Sequence, residues 1–192
     1  MKSRREIDLE RFVADLLPEF AKETDRGCVL IVAAMAEMQL QNMLIAKLVK
    51  ISGNQDELFD VPYAPLRDFH SKIDFAYRLG LISEKLCRDL HILRKIRNVF
   101  AHHIFDCNFE NEAVKNQLSE LKKPKQFIWI RDIFTKVAKE RDDNEFTLAF
   151  DTNNERAGFL VWSMLMYVEL DSSERSTGQR IEAAEDTFFY EI

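Results

Sequence analysis

The chain is poor in residues that break or reverse a backbone. Its 192 residues include five Gly and four Pro, too few for a fold of many tight turns, so long elements are expected. No glycine-rich phosphate loop occurs, which disfavours nucleotide-fuelled chemistry and a dinucleotide fold. The three cysteines, Cys28, Cys87 and Cys107, are widely spaced and form no CxxC. Reduced thiols in a cytoplasmic protein are the expectation. No GxSxG occurs, and no cysteine neighbours a histidine in a recognised pattern, so nucleophilic catalysis lacks its parts. Residues 1–6 lack the apolar core of a signal peptide. The longest apolar runs, 29–36 and 159–168, fall well short of the ~20 residues of a membrane span, and no membrane association is expected. Positive charge is not in excess: the net charge is -6. Any nucleic-acid contact must use a local patch. No helix-turn-helix with a basic recognition helix is present, so direct sequence-specific DNA binding is not expected.

What is present is apolar residue at helical spacing. Apolar residues make up 46% and charged residues 31%, an ordinary globular balance that suits one domain. Residues 5–17 carry Ile7, Leu9, Phe12, Val13, Leu16 and Leu17, with Pro18 ending the run. Residues 25–50 give the longest helical signal, and Ser52-Gly53-Asn54 follows it. Leu30, Ala33, Leu44 and Leu48 share one stripe there, and Glu37 and Gln41 fall on the same stripe. Either Glu37 reaches the surface, or it is an interior partner for another polar group, as a buried carboxylate requires.

Residues 51–65 read as a loop. Residues 66–79 return to helix through Leu66, Phe69, Ile73, Ala76 and Tyr77. Gly80 stands where a left-handed C′ residue belongs, and Ser83 where an N-cap belongs. So short a connection predicts antiparallel neighbours. The helix from Glu84 to about Ala101 buries Leu86, Leu90, Leu93 and Phe100. A short helix is expected over 111–121 and another over 126–141, and 146–150 alternates as a short strand or extended connector does. Thr152 with Glu155 fits a capping box opening a last apolar helix through Leu170. The expected architecture is one all-α domain over 1–170, followed by a polar, loosely held tail over 171–192.

One stretch carries chemistry. In Arg97-Asn98-Val99-Phe100-Ala101-His102-His103-Ile104 an arginine enters the apolar face one turn after Leu93, and two histidines close the run. Arg offers a bidentate fork for phosphate, and His takes and gives protons near neutral pH. Together they suffice for RNA cleavage without a metal. Alternatively, Arg97 is a structural ion-pair residue, with Glu37 its partner, and His102-His103 merely end a helix. Five residues of helix separate Arg97 from His102 by about 140° and ~7.5 Å, so the two side chains diverge. They converge on one ligand only if the helix frays near His102 or if two copies face each other. Asn98 and His102 are i and i+4 and share a side. Metal ligation looks poor, because adjacent histidines point to different sides and no spacing near Asp106 and Cys107 repeats a known ligand set. No cofactor is expected.

Residues 96–102, with Arg97, Asn98, Ala101 and His102, resemble the R-N-x-x-A-H motif of HEPN-domain proteins. Residues 65–73 and 76–83 resemble the mannitol operon repressor (MltR-like) family, itself HEPN-like. The resemblance spans roughly residues 25–105. It implies an antiparallel helical bundle, here with extra C-terminal helices, acting as a homodimer. In the HEPN superfamily it implies a metal-independent ribonuclease, toxin or defence related, with phosphate binding on Arg97, a polar assisting role on Asn98 and acid/base work on His102. Glu37 and His103 are candidate supporting residues. In the repressor family it implies a non-catalytic transcriptional regulator working through a protein partner. An antitoxin-like subunit docking by its 171–192 tail is a third expectation. Toxin-type members often carry a tyrosine where this chain has Ile104, and repressor-like members commonly lack the full Arg/His pair that this chain keeps.

Overall fold

The computed structural model describes residues 19–20, 22–103, 107–121, 155–176, 178 and 180–181. Among these the protein is all-α: five helices and no strand. They are α1 (Asp25–Lys47), α2 (Phe69–Arg78), α3 (Glu84–His102), α4 (Glu112–Glu120) and α5 (Glu155–Ser176). The helices expected over 5–17 and 126–141, the 146–150 segment and Thr152 of the capping box lie outside the described residues.

α1 is the central element and packs against α2, α3 and α5, while α4 lies on α3 and α5. It starts at Thr24, whose hydroxyl accepts the Gly27 N–H at 3.0 Å, and Asp25 in its first turn complements the helix dipole. Its buried seam runs Val29, Val32, Ala36, Leu40 and Met43. The seam is centred about one residue step, roughly 100°, from the expected stripe, so Ala33 and Leu44 of that stripe fall at its edge and are buried as expected. Leu30 therefore faces out, at 39% exposed, and Glu37 sits at the edge of the seam. α1 is long and apolar enough to cross a membrane by length and composition, with mean hydropathy 1.6 in its most apolar window. Half of that window is buried inside the bundle, which is how a core helix meets the same criterion. Ile31, Met38 and Ile45, seven residues apart, are exposed on its opposite side.

α2 begins at Phe69 rather than at residue 66. Asp68 takes the Ser71 N–H at 3.0 Å and the Ser71 hydroxyl at 2.7 Å, so the cap competes successfully with another turn of helix. Leu66 is buried just upstream, its N–H donating to the Leu58 carbonyl at 2.9 Å. Tyr77, expected on the apolar face, points outward, and Lys72 takes a buried position instead.

α2 ends as expected. Gly80 has φ 69°, the Leu81 N–H donates to Ala76 O and the Gly80 N–H to Tyr77 O, each at 2.9 Å. These two bonds form a Schellman cap, which needs a left-handed residue at C′. Ser83 then caps α3, accepting the Leu86 N–H at 3.1 Å. The chain folds back so that His70 near the start of α2 meets His91 on α3.

The core between helices is continuous. Ile73 and Ala76 of α2, Leu90, Leu93, Ile96 and Phe100 of α3, and Phe159 and Leu160 of α5 are all at or below 1% exposed. Full burial of each large side chain contributes roughly 1.5–3 kcal/mol. Phe109, between α3 and α4, stacks edge-on against Phe100 at 5.5 Å and tilted against Phe159 at 5.2 Å. α5 runs past Leu170 to Ser176, so residues 171–176 belong to the helix. Beyond it, Ile181 N–H donates to Lys47 O at 2.9 Å and Arg180 to Leu48 O at 3.0 Å, tying these residues to the end of α1.

Candidate functional site

α3 carries the motif at its C-terminal end and stays helical through His102. The His103 N–H donates to Val99 O at 3.1 Å and closes the last turn. The His103 ring folds back as well. Its Nδ1 lies 2.9 Å from Val99 O, so Nδ1 carries the hydrogen and donates. The His103 carbonyl accepts from Arg26 Nη2 of α1. His103 is thus part of the helix end, and its Nε2 points away from that bond. Ile104 lies outside the described residues.

Arg97 and Asn98 are half-buried and His102 is exposed. Arg97 flanks the buried stripe instead of standing in its middle, because Leu93, Ile96 and Phe100 form the seam. Among the described residues neither Arg97, Asn98 nor His102 has a side-chain hydrogen bond or ion pair. Glu37 is not joined to Arg97. Its Oε1 accepts the Lys72 ammonium at 2.8 Å, and the Lys72 side chain is only 6% exposed against 28% for Glu37. The interior partner expected for Glu37 exists, but it comes from α2.

The sequence pattern did not single out Arg94, which lies three residues before Arg97 on the same side of α3. It is half-buried, and its Nε is buried without a partner among the described residues. Arg94 and Arg97, three residues apart on one side of α3, are thus two guanidinium groups that make no ion pair among the described residues. Anionic ligands, phosphate first, fit such a pair. Nearer the start of α3, Lys85 and Arg88 both donate to Asp89, at 3.2 and 2.7 Å, and Asp89 is buried.

Below the motif end, the start of α1 is pinned by Arg156 of α5. Its Nη1 donates to Asp25 Oδ1 at 3.1 Å, and its Nη2 to the Phe20 and Glu23 carbonyls at 2.6 Å each. Cys28 lies beside it and is fully buried. Burial pushes the Cys28 thiol up to about 11, against the opposing pull of Arg156. Burial likewise raises Cys87 and Cys107, so none of the three free thiols is an activated nucleophile. An apolar cleft between α1 and α5, lined by Val32, Ala36, Ser163 and Tyr167, has about 10 Å³ of room, that of a single water. It cannot hold a nucleotide.

A second polar constellation sits midway along the α2–α3 pair. His91 Nε2 is 2.9 Å from Asp74 Oδ1, His70 Nε2 is 3.5 Å from Asp74 Oδ2, and the two rings lie 5.1 Å apart. Unlike the poorly spaced residues 102–107, these donors come from two helices. One half of the signal is local: His70 and Asp74 are i and i+4, on one side of a helix. The other half, His91, is placed by the fold-back at Gly80.

Compared with known proteins, the chain matches no family model, and no curated protein or solved structure is significantly similar to it.

Proposed function

We propose that the chain is a HEPN-type endoribonuclease that cleaves RNA without a metal and acts as a homodimer. The reading rests on the resemblance of residues 96–102 to the R-N-x-x-A-H motif. One observation supports it above the others. α3 does not fray at His102, so Arg97 and His102 of one copy diverge by about 140° along a straight helix. A second copy facing this end of α3 is then what brings a phosphate binder and an imidazole together. The Arg94–Arg97 pair, which makes no ion pair among the described residues, supports the anion-binding half of the reading, and Lys72 relieves Glu37 of any need for Arg97.

In the shared cleft the guanidinium groups hold the scissile phosphate. One His102 accepts the proton of the 2′-hydroxyl as the 2′-oxygen attacks phosphorus. The other, protonated, gives its proton to the departing 5′-oxygen. The products are a 2′,3′-cyclic phosphate end and a free 5′-hydroxyl. The arginines stabilise the charge that builds on the phosphorane, and Asn98, on the His102 side, orients the nucleotide.

The test is cleavage of single-stranded and structured RNA in excess chelator by the parent chain and by the variants Arg97→Ala and His102→Ala. The parent cleaves, and each variant loses roughly a hundred-fold or more, the usual contribution of one acid/base or electrostatic group. Cleavage that persists in both variants rules out this site. A parent that never cleaves but co-purifies with a regulatory protein favours the repressor-like reading.

A further inference from the structure

We propose that His70, Asp74 and His91 bind one divalent transition-metal ion of the zinc class, clamping α2 to α3. Each offers one donor atom, and the three atoms lie within 4.8 Å of one another. The edge of a tetrahedral zinc site is ~3.4 Å, given metal–ligand bonds near 2.1 Å. The two imidazoles approach different oxygens of Asp74, His91 Nε2 lying 2.9 Å from Oδ1 and His70 Nε2 3.5 Å from Oδ2, so both already stand near that edge length. Side-chain rotation on two well-formed helices brings both Nε2 atoms and one Asp74 oxygen to that spacing. His70 and Asp74 are exposed and His91 half-buried, so water can supply the remaining coordination positions.

The donor set decides the metal class. Two imidazoles and one carboxylate suit Zn²⁺, Co²⁺ or Ni²⁺, whereas Mg²⁺ and Ca²⁺ want oxygen ligands throughout. Without an ion, His91 Nε2 carries a hydrogen and donates to Asp74 Oδ1, because a carboxylate only accepts, while His70 Nε2 lies 3.5 Å from Oδ2. With an ion, the hydrogen moves to Nδ1, each Nε2 turns its lone pair to the metal, and one Asp74 oxygen completes the set. The bonds would bridge two elements that Gly80 already holds side by side. The inference is independent of RNA cleavage, since His91 lies ~16 Å from His102 along α3.

The experiment titrates untagged, chelator-stripped full chain with Co²⁺, read by visible absorption, and then displaces it with Zn²⁺. Thermal melting is followed in parallel. The expected result is one Co²⁺ per chain with tetrahedral-type bands, lost on adding Zn²⁺, and a melting temperature raised by several degrees at saturating Zn²⁺. His70→Ala and His91→Gln each weaken binding at least ten-fold and abolish the thermal shift. A His102→Ala, His103→Ala double variant and a Cys87→Ser variant bind as the parent does. Because His70 is exposed, its variant keeps the parent's helical circular dichroism and so reports on binding alone. No cobalt spectrum, a signal unchanged in both ligand variants, loss of binding in the His102/His103 variant, or equal stabilisation by Mg²⁺ overturns the proposal. In that case Asp74 merely bridges two imidazoles on the surface.

Discussion

Replacing Glu37 with alanine leaves the Lys72 ammonium buried against α1 with no counter-charge. The Lys72 side chain is 6% exposed and sits 2.8 Å from Glu37 Oε1. At an effective dielectric near 20, Coulomb attraction at that separation is about 6 kcal/mol before desolvation is subtracted. Removing one partner of a fully buried pair costs about 3–5 kcal/mol. Glu37 is 28% exposed, so water reaches the gap and the cost falls to about 2–3 kcal/mol. In a chain of this size that lowers the melting temperature by roughly 5–10 °C. Lys72→Met alone is milder, because the abandoned carboxylate can turn to solvent. The double variant Glu37→Leu, Lys72→Met returns to within about 1 kcal/mol of the parent, since no charge is left without a partner. Urea unfolding of the parent, Glu37→Leu, Lys72→Met and the double variant, followed by circular dichroism, gives the coupling energy directly, with Glu37→Ala measured beside them. A Glu37→Ala cost below about 0.5 kcal/mol, or a double variant as unstable as the summed singles, refutes the reasoning. So does coupling of Glu37 to Arg97 instead of Lys72.

Two further outcomes follow from local geometry. Gly80→Ala places a Cβ at φ 69° and costs about 1 kcal/mol, measured by urea unfolding; a stabilising effect would mean the turn is not left-handed in solution. For Cys28 the folded thiol sits at about 11, above its value in the unfolded chain, so the folded state holds the proton longer. That contribution is fully present below the unfolded value and is lost as pH rises through it towards 11. Between about pH 8 and 11 the parent should lose roughly 2 kcal/mol more than Cys28→Ala does. Equal losses in the two proteins would show that the thiol ionises freely in the fold.

The features legible in the chain are those with short-range causes. Gly80 and Ser83 mark a cap and a start because one residue's backbone freedom and one hydroxyl decide each. α3 is readable from Leu86, Leu90, Leu93 and Phe100, which all face the core. α2 begins later than its apolar spacing suggests because Asp68 bonds Ser71 first. The seam of α1 was legible only in part, at Ala33 and Leu44: a helix apolar nearly all round leaves its facing to its neighbours, and that rotation moved Glu37 to the edge. Lys72 as a buried partner, and the joining of His91 to His70 and Asp74, both depend on which helices lie side by side. Arg94 is not legible in the chain because nothing in its spacing differs from an exposed arginine; only the buried Nε distinguishes it. Of the motif, Arg97, Asn98 and His102 were identifiable by type and spacing, and their lack of side-chain partners among the described residues is visible only in the fold.

The most direct test of the shared-cleft account is RNA cleavage by a mixed dimer, purified through two different affinity tags, in which one copy is parental and the other carries His102→Ala. If both imidazoles serve one phosphate, the mixed dimer falls about a hundred-fold or more below the parent, close to the doubly altered dimer. A mixed dimer retaining half the parental rate would show that each copy works alone, and would contradict the account.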